Sequence, residues 1–198
     1  MVRKTDHMGR VIEAALGLAA ARGWRGLTLT EIAEATGLSL VELYRVCPTK
    51  ACILPSMLRR IDERMLVAKP MEVQDEPVHD LLLEILMRRF EAMRQYRSGL
   101  NAILRDLPLD PATALTTLPG LARSMSWALT AASVSPRGLF GAVRVKILGI
   151  AYLATLCVWL RDEDVDMSAT MAALDRNLRW TWFVNSDLHS PTLEESAR

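Results

Sequence analysis

The stretch that decides the fold is residues 28–50, TLTEIAEATGLSLVELYRVCPTK. It predicts two short helices joined by a tight turn. Thr30 is the expected N-cap of the first helix, because its hydroxyl can accept an unpaired backbone N–H. That helix has one apolar face over about two turns, formed by Ile32, Ala33 and Thr36. Gly37 follows directly, and glycine adopts the left-handed conformation that ends a helix without a steric penalty.

The second helix has its own start signal. Ser39 is placed to cap it, and Glu42 lies three residues later, so the two residues fit a capping box. Leu43 faces back toward the first helix, Pro48 ends the second helix and Thr49 caps a third. This pattern is typical of a helix-turn-helix, whose second helix enters the major groove of DNA. The alternative is a helical hairpin within some other all-α core.

The surrounding sequence resembles the N-terminal domain of the TetR family of bacterial repressors over roughly residues 10–58. The resemblance rests on Gly23-Trp24, Leu27-Thr28-Leu29, Ile32-Ala33, Thr36-Gly37-Leu38-Ser39, Leu43-Tyr44 and Pro48-Thr49-Lys50. It implies an all-α protein with an N-terminal three-helix helix-turn-helix domain and a C-terminal helical domain for ligand binding and dimerisation. It also implies that the partner is double-stranded operator DNA.

The resemblance implies which side chains face the DNA. Positions that usually touch backbone phosphates are occupied by Thr28, Thr30, Ser39, Tyr44 and Lys50. Positions that face bases or the groove wall are occupied by Leu40, Val41, Glu42 and Arg45. Simpler roles stay open for several of them, namely helix capping for the hydroxyls and Glu42, and core packing for Tyr44. The second helix departs from the family pattern in its Leu-Val-Glu sequence and in Val46-Cys47, which leaves the tightness of operator binding open.

Composition agrees with an all-α chain. Apolar residues make up 51% of the 198 residues, and strand-like alternation is nearly absent. The net charge is +1 but uneven, since residues 1–69 contain eleven Lys/Arg and seven Asp/Glu. A basic N-terminal part is what a DNA-facing module requires. We expect a DNA-binding domain at 1–54, a connecting helix to about 69, a ligand-binding and dimerisation domain at 70–185, and a flexible tail at 186–198.

Proline, glycine and capping residues predict the other helices. Pro55 should kink or delay the helix that follows the helix-turn-helix. Ser98 or Gly99 should break the next one, and Pro119-Gly120 should interrupt a later one. Asp166 is the expected cap of the last helix, with a core stripe of Met167, Met171, Leu174, Leu178 and Trp182. These helices are expected at about residues 9–22, 49–69, 77–97, 100–105, 111–132, 136–160 and 166–184.

The cysteines and the hydropathy favour the cytoplasm. Cys47, Cys52 and Cys157 have no disulfide-framework or zinc spacing, so we expect unpaired thiols in a reducing compartment. A redox switch between Cys47 and Cys52, which lie five residues apart across a proline turn, is the less favoured alternative. Residues 1–10 carry no signal peptide. The longest uncharged stretch, 147–160, is shorter than the ~20 residues that span a bilayer.

The C-terminal part carries a second resemblance, over about residues 82–179. It is similar to the TetR-like lipid-binding proteins of ubiquinone biosynthesis at Leu104-Arg105-Asp106-Leu107-Pro108, Ser124-Met125-Ser126-Trp127, Ala151-Tyr152-Leu153-Ala154-Thr155, Val158-Trp159-Leu160-Arg161-Asp162 and Thr170-Met171-Ala172-Ala173-Leu174-Asp175-Arg176. It implies a pocket for a small apolar effector, an acyl chain or an isoprenoid lipid. The pocket residues would be Phe90, Met93, Leu104, Met125, Trp127 and Tyr152, with ordinary core packing as the alternative for each.

The last two helices are expected to form a homodimer. The outer face of the final helix carries arginine next to aromatic residues, which suits either a subunit interface or a membrane surface. The family resemblance favours the subunit interface, and membrane contact is the less favoured alternative. The interface residues would be Ile150, Cys157, Arg176, Arg179, Trp180 and Phe183.

Nothing in the sequence indicates an enzyme. It has no catalytic motif, no metal site and no cofactor fingerprint, and the Asp162-x-Asp164-x-Asp166 run lacks the glycine and glutamate of a calcium loop. Two functions stay open at this point. One is a ligand-responsive repressor that binds a palindromic operator as a dimer and is released by an apolar effector. The other is a lipid-binding accessory protein of quinone metabolism that has lost operator binding.

Overall fold

The computed structural model describes residues 6–67 and 77–186, except for the side chains of residues 112 and 180–186. Residues 1–5, the segment 68–76 and the expected tail from residue 187 onward lie outside the described residues. The described chain is all helical and contains no strand, so the prediction of an all-α fold is confirmed. The helices are α1 His7–Arg22, α2 Leu29–Thr36, α3 Leu40–Val46, α4 Ile53–Leu66, α5 Val78–Met93, α6 Arg97–Asp106, α7 Pro111–Ala131, α8 Gly138–Trp159 and α9 Ser168–Ser186.

The described helices belong to two compact units. Within the described residues, the first unit comprises 6–67 and 88–124, and the second comprises 77–87 and 125–186. The first unit therefore holds α1 to α4, the end of α5, all of α6 and the first part of α7. The second holds α8 and α9 with parts of α5 and α7.

The core of the first unit is built around Trp24. The Trp24 ring is fully buried, and its indole Nε1 donates a hydrogen bond to the hydroxyl of Thr113 at 3.2 Å. Asp106 accepts the backbone N–H groups of Trp24 at 2.7 Å and of Arg25 at 3.1 Å. These bonds satisfy two backbone donors in the loop that follows α1. They join the start of the helix-turn-helix to α6 and α7.

Gly99 lets α6 approach α1 closely. A Cβ atom at this position would lie 2.7 Å from the carbonyl oxygen and the Cβ of Leu16. We expected Ser98 or Gly99 to break a helix, but the helix boundary falls earlier, at a 3-10 turn over Arg94–Tyr96, and Gly99 lies inside α6. The glycine serves close packing rather than helix termination.

A buried ion pair joins three helices of the first unit. Arg89 of α5 donates to one carboxylate oxygen of Asp62 of α4, and both residues are buried. The Ser124 hydroxyl of α7 donates to the other oxygen at 2.7 Å. Hydrogen bonding of both carboxylate oxygens is what makes a buried charge tolerable.

Two proline predictions have different outcomes. A short 3-10 turn, Lys50–Cys52, precedes α4, so Pro55 occupies the third position of the helix. Its missing N–H would have no helical partner there, and the helix is delayed as expected. The expected interruption at Pro119-Gly120 is wrong, because α7 continues through Pro119.

In the second unit α8 and α9 pack together, and Asp162 organises the loop between them. Its carboxylate accepts the backbone N–H of Thr170 at 2.7 Å and the hydroxyl at 2.6 Å. Asp162 therefore takes the capping role that we assigned to Asp166. Met171 is exposed and not part of the core stripe, because α9 turns Thr170, Leu174 and Leu178 inward instead.

Helix α8 is long and apolar enough to cross a bilayer, judged by length and composition alone. Its 22 residues include Arg144 and Lys146, so the uncharged stretch 147–160 is only part of this helix. The core helix of a folded protein passes the same test.

The expectation of unpaired thiols is wrong for two of the three cysteines. Cys47 and Cys52 form a disulfide, with their Cα atoms 5.8 Å apart. The chain reverses at Pro48 and enters the 3-10 turn, which brings the two residues together despite their short separation in sequence. Cys157 is free and exposed.

Candidate nucleic-acid interface

The turn between α2 and α3 is closed by backbone hydrogen bonds. Gly37 has a φ of 65°, in the left-handed region. The Leu38 N–H donates to the Ala33 carbonyl at 3.1 Å, which is the long bond of a Schellman motif. The guanidinium of Arg10 in α1 also donates to the Thr36 carbonyl, so a cation satisfies the C-terminal end of α2.

Both short helices begin with a capping box. In α2 the box pairs Thr28 with Glu31, so the cap is Thr28 and not Thr30 as we expected. In α3 the Glu42 N–H donates to the Ser39 hydroxyl at 3.3 Å, and Glu42 Oε2 accepts the Ser39 N–H at 2.9 Å. The reciprocal bonds satisfy two unpaired donors at each helix start, which stabilises helices too short to form alone.

These caps also shift the titration of the two carboxylates. The backbone N–H and the hydroxyl of Thr28 hold the pKa of Glu31 below its ordinary value. The hydroxyl and backbone N–H of Ser39 do the same for the pKa of Glu42. Both side chains are therefore anionic at neutral pH and are held toward the starts of their own helices.

Helix α3 is anchored by one side chain and exposes most of the others. Leu43 is 1% exposed. Leu40 is 58% exposed, Val41 60% and Tyr44 69%. The exposed positions follow one another at helical spacing, so they form one continuous arc on the outside of the unit.

The predicted DNA-contacting residues all reach the surface of the first unit. Those that are exposed are Thr28, Thr30, Ser39, Leu40, Val41, Glu42, Tyr44 and Arg45. Lys50 is half-buried. The assignment of each to a phosphate or a base stays a prediction.

Lys50 already has partners within the fold. Its Nζ donates to the carbonyls of Trp24 at 2.9 Å and Arg25 at 3.1 Å, and it lies 5.0 Å from the centroid of the Trp24 ring. An ammonium group has three donors, so one is left for a phosphate. Arg25 itself is exposed beside this contact and was missed in the sequence analysis. The signal that could have indicated an exposed Arg25 was its position beside Gly26, in the loop before the Thr28 cap.

The charge around the two helices is mixed. Arg22 forms an exposed ion pair with Glu31 at 3.0 Å. Arg45 is the cation of α3 itself and is exposed. Glu31 and Glu42 are engaged in caps, and Arg25 and Arg45 are exposed cations on this part of the unit.

The predicted ligand-pocket residues fall in both units. Phe90 and Met93 are buried in the first unit, where Leu104 is half-buried. Met125 and Tyr152 are buried in the second unit, whereas Trp127 is exposed. Burial agrees with either an effector pocket or ordinary core packing, so the pocket stays a prediction.

An open cleft lies in the second unit at the end of α7. It has a volume of about 570 Å³, and Trp127 lines it. The other lining residues are Ser126, Thr130, Ser133, Val134, Ser135, Pro136 and Arg137. Its walls combine apolar side chains with several hydroxyls and one guanidinium, which suits a small molecule that carries a polar group on an apolar body.

The predicted dimer residues are exposed wherever the structure describes their side chains. Ile150 and Cys157 lie on α8 beside exposed Leu153, and Arg176 and Arg179 lie on α9. Ile150, Leu153 and Cys157 are spaced along one face of α8, which makes an apolar stripe on the second unit. Trp180 and Phe183 belong to the part of α9 whose side chains lie outside the described residues.

Known structures share this architecture. A TetR transcriptional regulator from Nitrosomonas europaea is similar with a TM-score of 0.68 and 23% sequence identity, covering 89% of this chain and 98% of that chain. A TetR transcriptional regulator from Rhodococcus sp. RHA1 is similar with a TM-score of 0.62 and 17% identity, covering 87% and 93%. No protein-family model and no curated protein sequence matches the chain.

The helix order and the capped helix-turn-helix therefore define an all-α protein of the helix-turn-helix class. More particularly, the chain has the fold of the TetR transcriptional regulators. The similarity of the C-terminal part to lipid-binding relatives stays a prediction.

Proposed function

We propose that this protein is a cytoplasmic transcriptional regulator that binds a palindromic operator as a homodimer. It acts as a repressor and is released by a small apolar effector. It is not an enzyme. The observation that carries the proposal is the exposed arc of α3, in which Leu40, Val41, Tyr44 and Arg45 project from a helix anchored by Leu43 and started by a capping box. A rigid short helix with large unburied side chains is suited to insertion into a major groove.

Two further observations support this proposal. The solved structures with the same fold are described as transcriptional regulators. The apolar stripe of α8 with Ile150 supports a two-fold dimer, because two copies are needed to read two half-sites about one helical turn apart. In such a dimer the effector acts by favouring one arrangement of the two DNA-binding units over another.

The test is binding of the full-length protein to the duplex immediately upstream of its own coding sequence. Fluorescence anisotropy should show an affinity that falls steeply between about 50 and 200 mM salt, because phosphate contacts release counterions. Tyr44→Ala and Arg45→Ala should weaken binding. Val165→Ala, equally exposed but in the loop before α9, should leave binding unchanged. No binding to this or any selected duplex would overturn the proposal.

A second candidate is a lipid-binding accessory protein of quinone metabolism that no longer binds DNA. The apolar character of α8 and the single cation of α3 favour it. In that case, the purified protein should carry an isoprenoid lipid and float with liposomes, and membrane contact would be part of its action. It should also fail to shift DNA at low salt. The two candidates therefore give opposite results in the same pair of assays.

A further inference from the structure

The outer face of α3 is apolar where base recognition by hydrogen bonds would require polar groups. Leu40 and Val41 are more than half exposed, although their side chains carry no donor or acceptor. Neither residue is needed for the core, since Leu43 alone anchors the helix. The unexplained feature is therefore a pair of adjacent branched aliphatic side chains at the surface that faces DNA in the proposed function.

Glu42, the polar side chain next to them, is not available to recognise a base by hydrogen bonding. Its Oε2 accepts the Ser39 backbone N–H at 2.9 Å and the Ser39 hydroxyl at 2.7 Å. Reaching a cytosine amine in the groove would require the carboxylate to leave the capping box. That movement would remove the partner of the Ser39 N–H and loosen the start of a seven-residue helix. The base-reading role that the sequence suggested for Glu42 is thus disfavoured by its own hydrogen bonds.

The major groove displays one apolar group, the C5-methyl group of thymine. We propose that Leu40 and Val41 recognise thymine methyl groups, so that the operator is read chiefly through apolar contact rather than through hydrogen bonds. This inference rests on the proposed function. The arc from Leu40 to Tyr44 rises about 6 Å along the helix, which matches about two base-pair steps of 3.4 Å. We therefore expect neighbouring thymines, on either strand, at the centre of each half-site.

Arg45 completes the contact. It is the cation of α3, exposed one turn beyond Val41 on the same side. A guanidinium can donate two bonds to guanine O6 and N7. The half-site should then place a guanine next to the thymine pair.

The test compares thymine with deoxyuracil, which lacks the methyl group but keeps the same base pairing. The full-length protein selects from two pools of random duplexes, one synthesised with thymine and one with deoxyuracil. Duplexes that share a common sequence should be strongly enriched from the thymine pool. Replacing the enriched central thymines by deoxyuracil should weaken binding by about fourfold for each buried methyl group. The same replacement at non-enriched positions should have no effect.

Variants locate the effect on the protein. Leu40→Ala and Val41→Ala should remove most of the discrimination between thymine and deoxyuracil, and both should fold because the side chains are exposed. Val165→Ala is the control, since it shortens an aliphatic side chain that is also exposed but lies in the loop before α9, and it should leave the discrimination and the selected bases unchanged.

The outcomes separate this inference from the proposed function. If both pools gave the same consensus, and deoxyuracil replacement lowered the affinity by less than about twofold, methyl recognition would be overturned. DNA binding would still be supported. If Glu42→Gln lost the selection of a cytosine that the unsubstituted protein prefers, Glu42 would be reading that base. This outcome would also overturn the inference. Enrichment from neither pool would overturn the proposed function and this inference together.

Discussion

Asp106 accepts a hydrogen bond of 2.7 Å from the backbone N–H of Trp24, a residue 82 positions earlier in the chain. The same carboxylate oxygen accepts the Arg25 N–H. The loop that leads from α1 into the helix-turn-helix is thus held by the last residue of α6. The motifs that contain Trp24 and Asp106 lie far apart in the sequence, and this hydrogen bond brings them together.

Removing this carboxylate should loosen the link between the helix-turn-helix and α6. We expect Asp106→Ala to lower the free energy of unfolding by about 1–3 kcal/mol, because two backbone donors lose their acceptor. Asp106→Asn keeps an acceptor oxygen and should cost less. Urea denaturation followed by circular dichroism measures both variants. If both variants lost the same free energy of unfolding, the role of Asp106 as acceptor of the Trp24 and Arg25 N–H groups would be contradicted.

The buried ion pair should behave differently from a surface pair. Asp62→Ala leaves the buried Arg89 charge without its carboxylate and should cost about 3–5 kcal/mol of stability. The double variant Asp62→Leu with Arg89→Met should recover much of that loss, because neither charge remains to be desolvated. Ser124→Ala removes a single hydrogen bond and should cost about 1 kcal/mol. A double-mutant cycle on unfolding free energies tests these values, and additive losses would contradict the expectation.

The capping boxes predict a pH dependence at acidic pH. Because the pKa of Glu42 is lowered from 4.5 in the folded protein, its contribution to stability is present above that value and is lost as the pH falls through the folded pKa. Ser39→Ala should return the pKa of Glu42 toward 4.5 and reduce the loss of stability below it.

Side-chain NMR titration of Glu42 measures this shift directly. Thr28→Ala provides the matched control, since it should raise the pKa of Glu31 and leave that of Glu42 where it was. If Glu42 titrates identically with and without the Ser39 hydroxyl, the bonds seen in the structure are not maintained in solution.

The apolar stripe of α8 predicts how the dimer can be disrupted. Ile150 is 63% exposed, so Ile150→Glu should not disturb folding, but it would place two charges in a two-fold interface. We expect a monomer by light scattering, with operator affinity reduced by at least about tenfold because one half-site is lost. Val165→Glu, at a position 76% exposed outside the stripe, should stay dimeric. A dimeric Ile150→Glu protein would place the interface elsewhere.

The disulfide predicts a difference between oxidised and reduced protein. Closing the short loop from Cys47 to Cys52 should stabilise the oxidised form by about 2 kcal/mol through loss of unfolded-chain entropy. Thermal unfolding with and without reductant measures the difference, and Cys52→Ser should abolish it. Cys157→Ser should leave it unchanged. Under denaturing conditions without reductant, thiol labelling should modify Cys157 and spare the other two.

The parts of the fold that could be predicted from sequence are those set by neighbouring residues. Gly37 and the Ser39–Glu42 spacing act within one turn of the chain, so they correctly indicated the turn and the start of α3. The error at the start of α2 was of the same local kind, since Thr28 and Thr30 are both capable caps. Glu31 decided between them, because it lies three residues after Thr28 and completes that box.

The parts that could not be predicted depend on contacts between distant segments. Nothing near Lys50 indicated that its ammonium would meet the carbonyls of Trp24 and Arg25. Spacing alone did not favour a bond between Cys47 and Cys52, because their approach depends on how the chain turns at Pro48.

The contact of Gly99 with Leu16 has a consequence for how this sequence can vary. A methyl group at position 99 would occupy space already filled by the backbone of α1, which no side-chain rotation can vacate. Substitution by alanine would therefore wedge two helices apart rather than fill a gap. The position should behave as a temperature-sensitive locus, and a bulkier residue there should be tolerated in a descendant only after α1 itself has shifted.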